Sequence, residues 1–278
     1  MSNTDKIFVA GDWHGNTPWA VGLVKVAKKY GCTHIVQCGD FGIWTHVEEG
    51  VTYLDALNDA CRKYGVKIYF VGGNHENWDH LEAWMKINPK NYTGNYVVRS
   101  HIFFIPDGNR WMWSGKWFMG VGGAVSVDKD WRLHAERTKY GPRTLWWDQE
   151  QLDESVLFKL EQSKVKTDYL FTHDCPTNAP FYNRMKDDPQ SQMHRQLMDR
   201  LGKAVRPKMW FHGHMHDKYD GYDFPTYESH TKVYGLTRDT MQDNWGILDT
   251  ATGDFKWQSD IMLAKRRRTV SKPVDDNF

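Results

Sequence analysis

Five short stretches of this sequence place acid, amide or imidazole side chains just after an apolar run, four of them beside glycine. The first is AGDWHG, with Asp12 and His14 two residues apart. In extended backbone such side chains point to the same side, so both can reach one ion. CGDFG adds Asp40, VGGNHEN adds Asn74 and His75, FTHDCP adds His173, and FHGHMH adds His214 and His216, again two apart. Carboxylate, amide and imidazole donors without thiolate suit manganese, iron or zinc better than an all-oxygen calcium site, and manganese is the first expectation. Asp12, His14, Asp40, Asn74, His173, His214 and His216 are too many donors for a single tetrahedral ion, so two metals are implied. A lone histidine beside a strand more often settles a turn or a core contact, and His34, His46, His101 and His230 read that way. An ordered set at five successive strand ends does not.

The elements that must position these residues are legible as hydrophobic runs. KIFVA (6–10), HIVQC (34–38), KIYFV (67–71), DYLFT (168–172) and KMWFH (208–212) are short, rich in β-branched and aromatic residues, and read as buried strands. Helical patterns over 18–30 and 48–64 separate the first three, which implies a parallel arrangement. In such sheets the carboxyl ends of the strands converge on one edge, where ligands bind. Residues 95–124 turn strand-rich, with DG, SG and GG turn signals. A helical stretch near 148–162 and another over 192–204 flank the later strands, and 176–192 reads as a long loop. KVYGL and NWGILD are further strand-like pieces. The expected segmentation is one domain over residues 1–262 and a flexible, basic-then-acidic tail over 263–278, its KRRR run read as a solvated end.

Taken in order, GDWHG, GDFG, GNHE, TH and GHMH resemble the motifs of the calcineurin-like metallophosphoesterases, the purple-acid-phosphatase-like superfamily, across residues 11–216. The resemblance implies an α/β fold, a four-layer α/β/β/α sandwich of two facing mixed sheets flanked by helices. It assigns Asp12, His14, Asp40 and His216 to one metal and Asp40, Asn74, His173 and His214 to the other, with Asp40 bridging. Cys175 lies outside that pattern and reads as structural. Two ions so placed would clamp phosphate oxygens and activate a bridging hydroxide for in-line attack, while His75, not itself a ligand, serves as general acid.

The sequence departs from the phosphoprotein phosphatases of that superfamily at two places. They carry GDxxDRG at the second motif and an arginine soon after GNHE; here the stretches are GDFGIW and NWDH. With those arginines absent, a phosphodiester is expected over a monoester dianion, a small diester or a cyclic nucleotide such as a 2′,3′-cyclic phosphate. Asp79 is a conceivable partner for orienting His75. Arg132, Arg137, Arg143 and Arg184 are available near the site in sequence, but surface pairing is the expected reading of each.

Composition bounds the alternatives. Thirty-six Lys and Arg against 35 Asp and Glu leave a net charge of +1 over 278 residues, so no global field marks a nucleic-acid binder, and nucleic acid is not the favoured partner. No run reaches the roughly 18 apolar residues of a membrane span, and the four cysteines form no CxxC pair, so a soluble cytoplasmic protein is expected. The 14 tryptophans are expected mostly in packing. Other readings are a phosphomonoesterase or protein phosphatase, a nuclease of the same superfamily, and a non-catalytic scaffold, which usually loses ligands that are all filled here.

Overall fold

The computed structural model describes residues 5–182, 188–227 and 230–258. Among the described residues, thirteen strands form two sheets. The first runs in the order β13-β12-β1-β2-β3-β5-β4 and the second β10-β11-β9-β8-β7-β6. In the first, β1 (Lys6–Ala10), β2 (His34–Gln37), β3 (Lys67–Phe70) and β5 (Ile102–Phe104) are parallel neighbours, bordered by antiparallel β4 (Tyr96–Arg99), β12 (Trp245–Asp249) and β13 (Asp254–Trp257). In the second, β7 (Lys116–Val121), β8 (Tyr169–Thr172), β9 (Met209–His212) and β11 (His230–Gly235) are parallel, with β6 (Asn109–Trp113) and β10 (Tyr219–Pro225) antiparallel at the edges.

Both faces of the central strands are buried, and the two-residue period of a strand sorts their side chains into different layers. Ile7, Val9, Val36, Tyr69 and Val71 join Phe171 and Phe211 in a core between the sheets. Phe8, Ala10, Ile35, Ile68 and Phe70 face a second core shared with α1 (Thr17–Lys29) and α2 (Glu48–Tyr64). Leu170, Trp210 and Val233 face a third, completed by α5 (Glu154–Ser163) and α6 (Pro189–Val205). Three cores between four layers are the α/β/β/α sandwich that the motifs imply. Of the tryptophans, Trp13, Trp19, Trp78, Trp147 and Trp245 fill the first helix-facing core, Trp111 and Trp113 the core between sheets, and Trp210 the third.

The helices begin where local chemistry starts them. Asn16 caps α1 by accepting the Trp19 N–H, with Pro18 in the first turn. Asp188 caps α6 through the N–H groups of Gln190 and Ser191, so that helix starts at Pro189, three residues earlier than the pattern at 192 indicates. Two helices go beyond the expected set: α3 (Trp78–Ile87) and α4 (Lys129–Ala135), the latter running into a π-helical turn at Glu136–Tyr140. The tail and the domain limit near 262 lie outside the described residues, as does Arg184.

Candidate metal centre

The carboxyl ends of β1, β2 and β3 in one sheet and of β8 and β9 in the other meet at one edge, and each hands over its polar residue there. His14 Nε2 lies 3.4 Å from Asp40 Oδ2, and His216 Nε2 lies 3.0 Å from Asp12 Oδ2. One donor atom from each of Asp12, His14, Asp40 and His216 falls within 4.8 Å of the others. A second group adjoins the first: His173 Nε2 is 3.3 Å from Asp40 Oδ1 and 3.0 Å from Asn74 Oδ1, and the His214 ring centroid is 5.0 Å from that of His173. Asp40 therefore turns one oxygen to each group. All seven residues are brought together, and all but His216 are buried.

The backbone is bent to achieve this. His14, Asp40, His214 and His216 have φ of 47°, 51°, 62° and 57°, the left-handed region that non-glycine residues seldom occupy. Strain of this kind, about 1 to 3 kcal/mol per residue, persists where surrounding structure enforces it and concentrates at functional sites. Close approach adds a second constraint: a Cβ on Gly73 would overlap Asp40 Oδ1, and one on Gly213 would overlap Asp12 Oδ1.

The field in the cluster favours positive charge. Burial pushes the His173 pKa down, but Asp40 and Asp12 more than reverse it and raise it to about 9. Burial would raise the Asp40 carboxyl, yet the charges of His173 and His75 and hydrogen bonds from His14 and His173 hold it well below the usual carboxylate range. His173 Nδ1 is 2.8 Å from the Cys38 carbonyl and donates to it, which leaves Nε2 facing the carboxylate and amide oxygens. The donor atoms of Asp12, His14, Asp40 and His216 lie within 4.8 Å of one another and Asp40 links them to His173 and Asn74, so the residues present fit a divalent metal pair.

A family model described as calcineurin-like phosphoesterase matches residues 5–218. The chain belongs to that family. Among curated relatives, the lariat debranching enzyme of Drosophila melanogaster is 27% identical over 241 residues, covering 77% of this chain and 43% of the relative. The lariat debranching enzyme of Danio rerio is 26% identical over 171 residues, covering 57% and 28%. The chain thus spans less than half the length of these relatives. A crystal structure from Thermus thermophilus shares the fold at a TM-score of 0.54 and 13% identity, over 90% of this chain and 96% of that one.

Within this calcineurin-like phosphoesterase frame, several residues around the cluster were not among the expected site residues. Arg132, expected at the surface, is buried at 3% exposure on α4. Its Nη1 donates to the carbonyls of Asn74 (3.0 Å) and Leu145 (3.2 Å), its Nε pairs with Asp128 at 2.8 Å, and its Nη2 reaches the His75 ring. Asp79, the conceivable partner for His75, is instead gripped by Arg143, whose Nε is 2.7 Å from Oδ2. Both side chains of that pair are less than half exposed. Glu76, buried beside His75, accepts the N–H groups of Phe41, Gly42 and Ile43 and so fixes the loop that carries Asp40. Its own carboxyl is pushed up to about 7 by burial and by Asp40. Ser126, Glu150 and Asp239 stand directly behind Asn74 and His14. Glu76 lies inside the GNHE motif and was within reach of the sequence; the others adjoin no motif. Cys175 is buried next to Asp174, whose carboxylate accepts its N–H.

Proposed function

We propose that the chain is a dinuclear metal-dependent phosphodiesterase, with Asp12, His14, Asp40 and His216 holding one ion and Asp40, Asn74, His173 and His214 the other. The observation that carries this reading is Asp40, one carboxylate oxygen turned to each donor group. Bound there, two divalent ions would supply Lewis acidity towards phosphate oxygens and towards a water. Manganese fits the mixed imidazole, carboxylate and amide donors, as do iron and zinc. The protein's own part is to orient these donors, to exclude bulk water from all but the His216 and His75 side, and to hold a proton at His75. The His75 side chain is 35% exposed at the edge of the cluster; an Arg132 N–H can only donate, so the ring nitrogen it faces accepts and the proton offered to a departing alkoxide sits on the other.

The preference for a diester is supported by the cations near the site. Arg132 is committed to Asp128, two carbonyls and His75, and Arg143 to Asp79 and Asp148. A doubly charged monoester would need additional cationic contacts, whereas a diester carries a single charge. The name of the curated relatives, which describes opening a branch, favours a diester as well, and it makes a nucleic-acid substrate the second reading. We place the protein in a reducing compartment, the cytoplasm, a reading supported by four buried free cysteines. Among the described residues no helix is long and apolar enough to cross a membrane.

The test is a parallel assay of the manganese-loaded protein on a small diester, the matching monoester, 2′,3′-cyclic nucleotides and a branched RNA. Higher kcat/KM on the small or cyclic diesters supports the proposal. A monoester preference supports the phosphatase reading, and a preference for branched RNA supports the nucleic-acid reading.

A further inference from the structure

Two buried carboxylates stand behind the donor cluster, one behind His14 and one, through Ser126, behind Asn74. Asp239 is fully buried in the loop between β11 and β12, which joins the second sheet to the first. Its Oδ1 is 3.0 Å from His14 Nδ1, and its Oδ2 accepts the Asn16 amide at 2.7 Å. An imidazole whose Nδ1–H is held by a carboxylate presents Nε2 as its donor atom, and His14 Nε2 is the atom that faces Asp40. The same loop anchors the exit of β1, since the Asn244 amide donates to the Asp12 carbonyl at 3.3 Å and to the Thr237 carbonyl at 2.6 Å. This loop lies beyond residue 218, where the family match ends.

On the other side, Asn74 Nδ2 donates to Ser126 Oγ at 3.1 Å, and Ser126 Oγ donates to Glu150 Oε2 at 2.7 Å. Glu150 Oε1 also accepts the Ser126 N–H at 2.9 Å, so the serine is held twice. With its NH₂ group spent on Ser126, the Asn74 amide must point Oδ1 the other way, towards His173 Nε2.

We infer that each half of the cluster has its own support, Asp239 orienting His14 on one side and Glu150 acting through Ser126 to orient Asn74 on the other, so that the two metal positions are tuned separately. This rests on the proposal that the cluster holds two ions. Asp239, Ser126 and Glu150 are positioning residues: each acts on a donor rather than on an ion or substrate.

The experiment is manganese binding by full-length protein, by equilibrium dialysis with elemental analysis, for wild type, Asp239→Asn, Ser126→Ala, Glu150→Gln and their pairs. Wild type takes up two ions. Asp239→Asn and Ser126→Ala each weaken one ion about 10- to 100-fold and leave the other within about threefold. Because they act on different ions, the Asp239→Asn, Ser126→Ala pair weakens both. Because they share one chain of contacts, the Ser126→Ala, Glu150→Gln pair is no worse than Ser126→Ala alone. Thermal unfolding of the metal-free variants near the wild-type temperature shows that lost binding is not lost folding; Asp239→Asn and Glu150→Gln preserve side-chain shape for this reason. Wild-type affinities in every variant overturn the inference while leaving the two-ion reading intact, and so does equal weakening of both ions by any single variant. Fewer than two ions on wild type removes the premise and the inference with it.

Discussion

The Nη2 of Arg132 lies 2.8 Å from Nε2 and 3.2 Å from Nδ1 of His75, and the same guanidinium holds the Asn74 carbonyl. One side chain thus fixes a proposed metal ligand's backbone and the orientation of the proposed general acid next to it. Arg132→Ala should therefore lower kcat by about 10²-fold, the cost of an ångström-scale misplacement, when measured at manganese high enough to keep both positions filled. Steady-state kinetics with elemental analysis checks this; unchanged kcat would detach Arg132 from His75's role.

His75→Ala separates proton transfer from metal binding. On a diester with an alkoxide leaving group the loss should be about 10² to 10⁴ in kcat. On one that releases 4-nitrophenolate, which needs no proton to depart, the loss should be much smaller. Equal losses on both would mean that His75 does something other than donate a proton.

The glycines carry a sharper steric prediction. Gly73→Ala places a methyl into Asp40 and Gly213→Ala places one into Asp12, both buried carboxylates with little room to move. Each variant should fold yet retain fewer than two ions per chain, whereas Gly31→Ala, strained by a φ of 76° but with nothing within 4 Å of its Cβ, should retain both. Metal content after gel filtration decides it.

How much of this was legible in the sequence follows from how local each signal is. Asp12, His14, Asp40, Asn74, His173, His214 and His216 each sit within a few residues of a buried strand's end, so the strand rule alone carries them to one edge. Asp239 meets His14 across 225 residues and Ser126 meets Asn74 across 52, contacts with no periodicity behind them. Arg132 looked like surface because α4 is only seven residues long and buries little else. The helix α3 buries only Trp78 and Leu81, too narrow a stripe to stand out beside the GNHEN motif. The strands β10 and β13 are sheet edges, one carrying glycine and proline and the other half exposed, which hides the strand pattern.

Acid sensitivity should arise outside the proposed metal centre, at His34. Its ring is buried, stacked on Tyr69 and 4.8 Å from Trp113, and its pKa is pushed down to about 4 by burial and by the charge of Lys67. Between about pH 6.5 and 4 the unfolded chain binds a proton there that the folded chain does not, so stability falls as pH falls through that window. The full effect is about 3 kcal/mol, of which about 2 kcal/mol is reached at pH 5. His212, also pushed down to about 4, adds to the wild-type loss, so the comparison must be by difference. Urea unfolding of metal-free protein at pH 7.5 and 5.0 should show His34→Gln losing about 2 kcal/mol less than wild type between the two. An equal loss would place the sensitivity elsewhere.

In the proposed site both halves depend on Asp40, and Asp40→Ala is the most direct test. Wild type and variant are loaded with manganese, freed of excess metal, and measured together for ions per chain and for turnover of a small diester. The expectation is two ions and turnover for wild type, and for Asp40→Ala a loss of metal with activity reduced at least about 10³-fold, since the change removes a donor from both proposed positions at once. An Asp40→Ala protein that keeps two ions and wild-type turnover would contradict it.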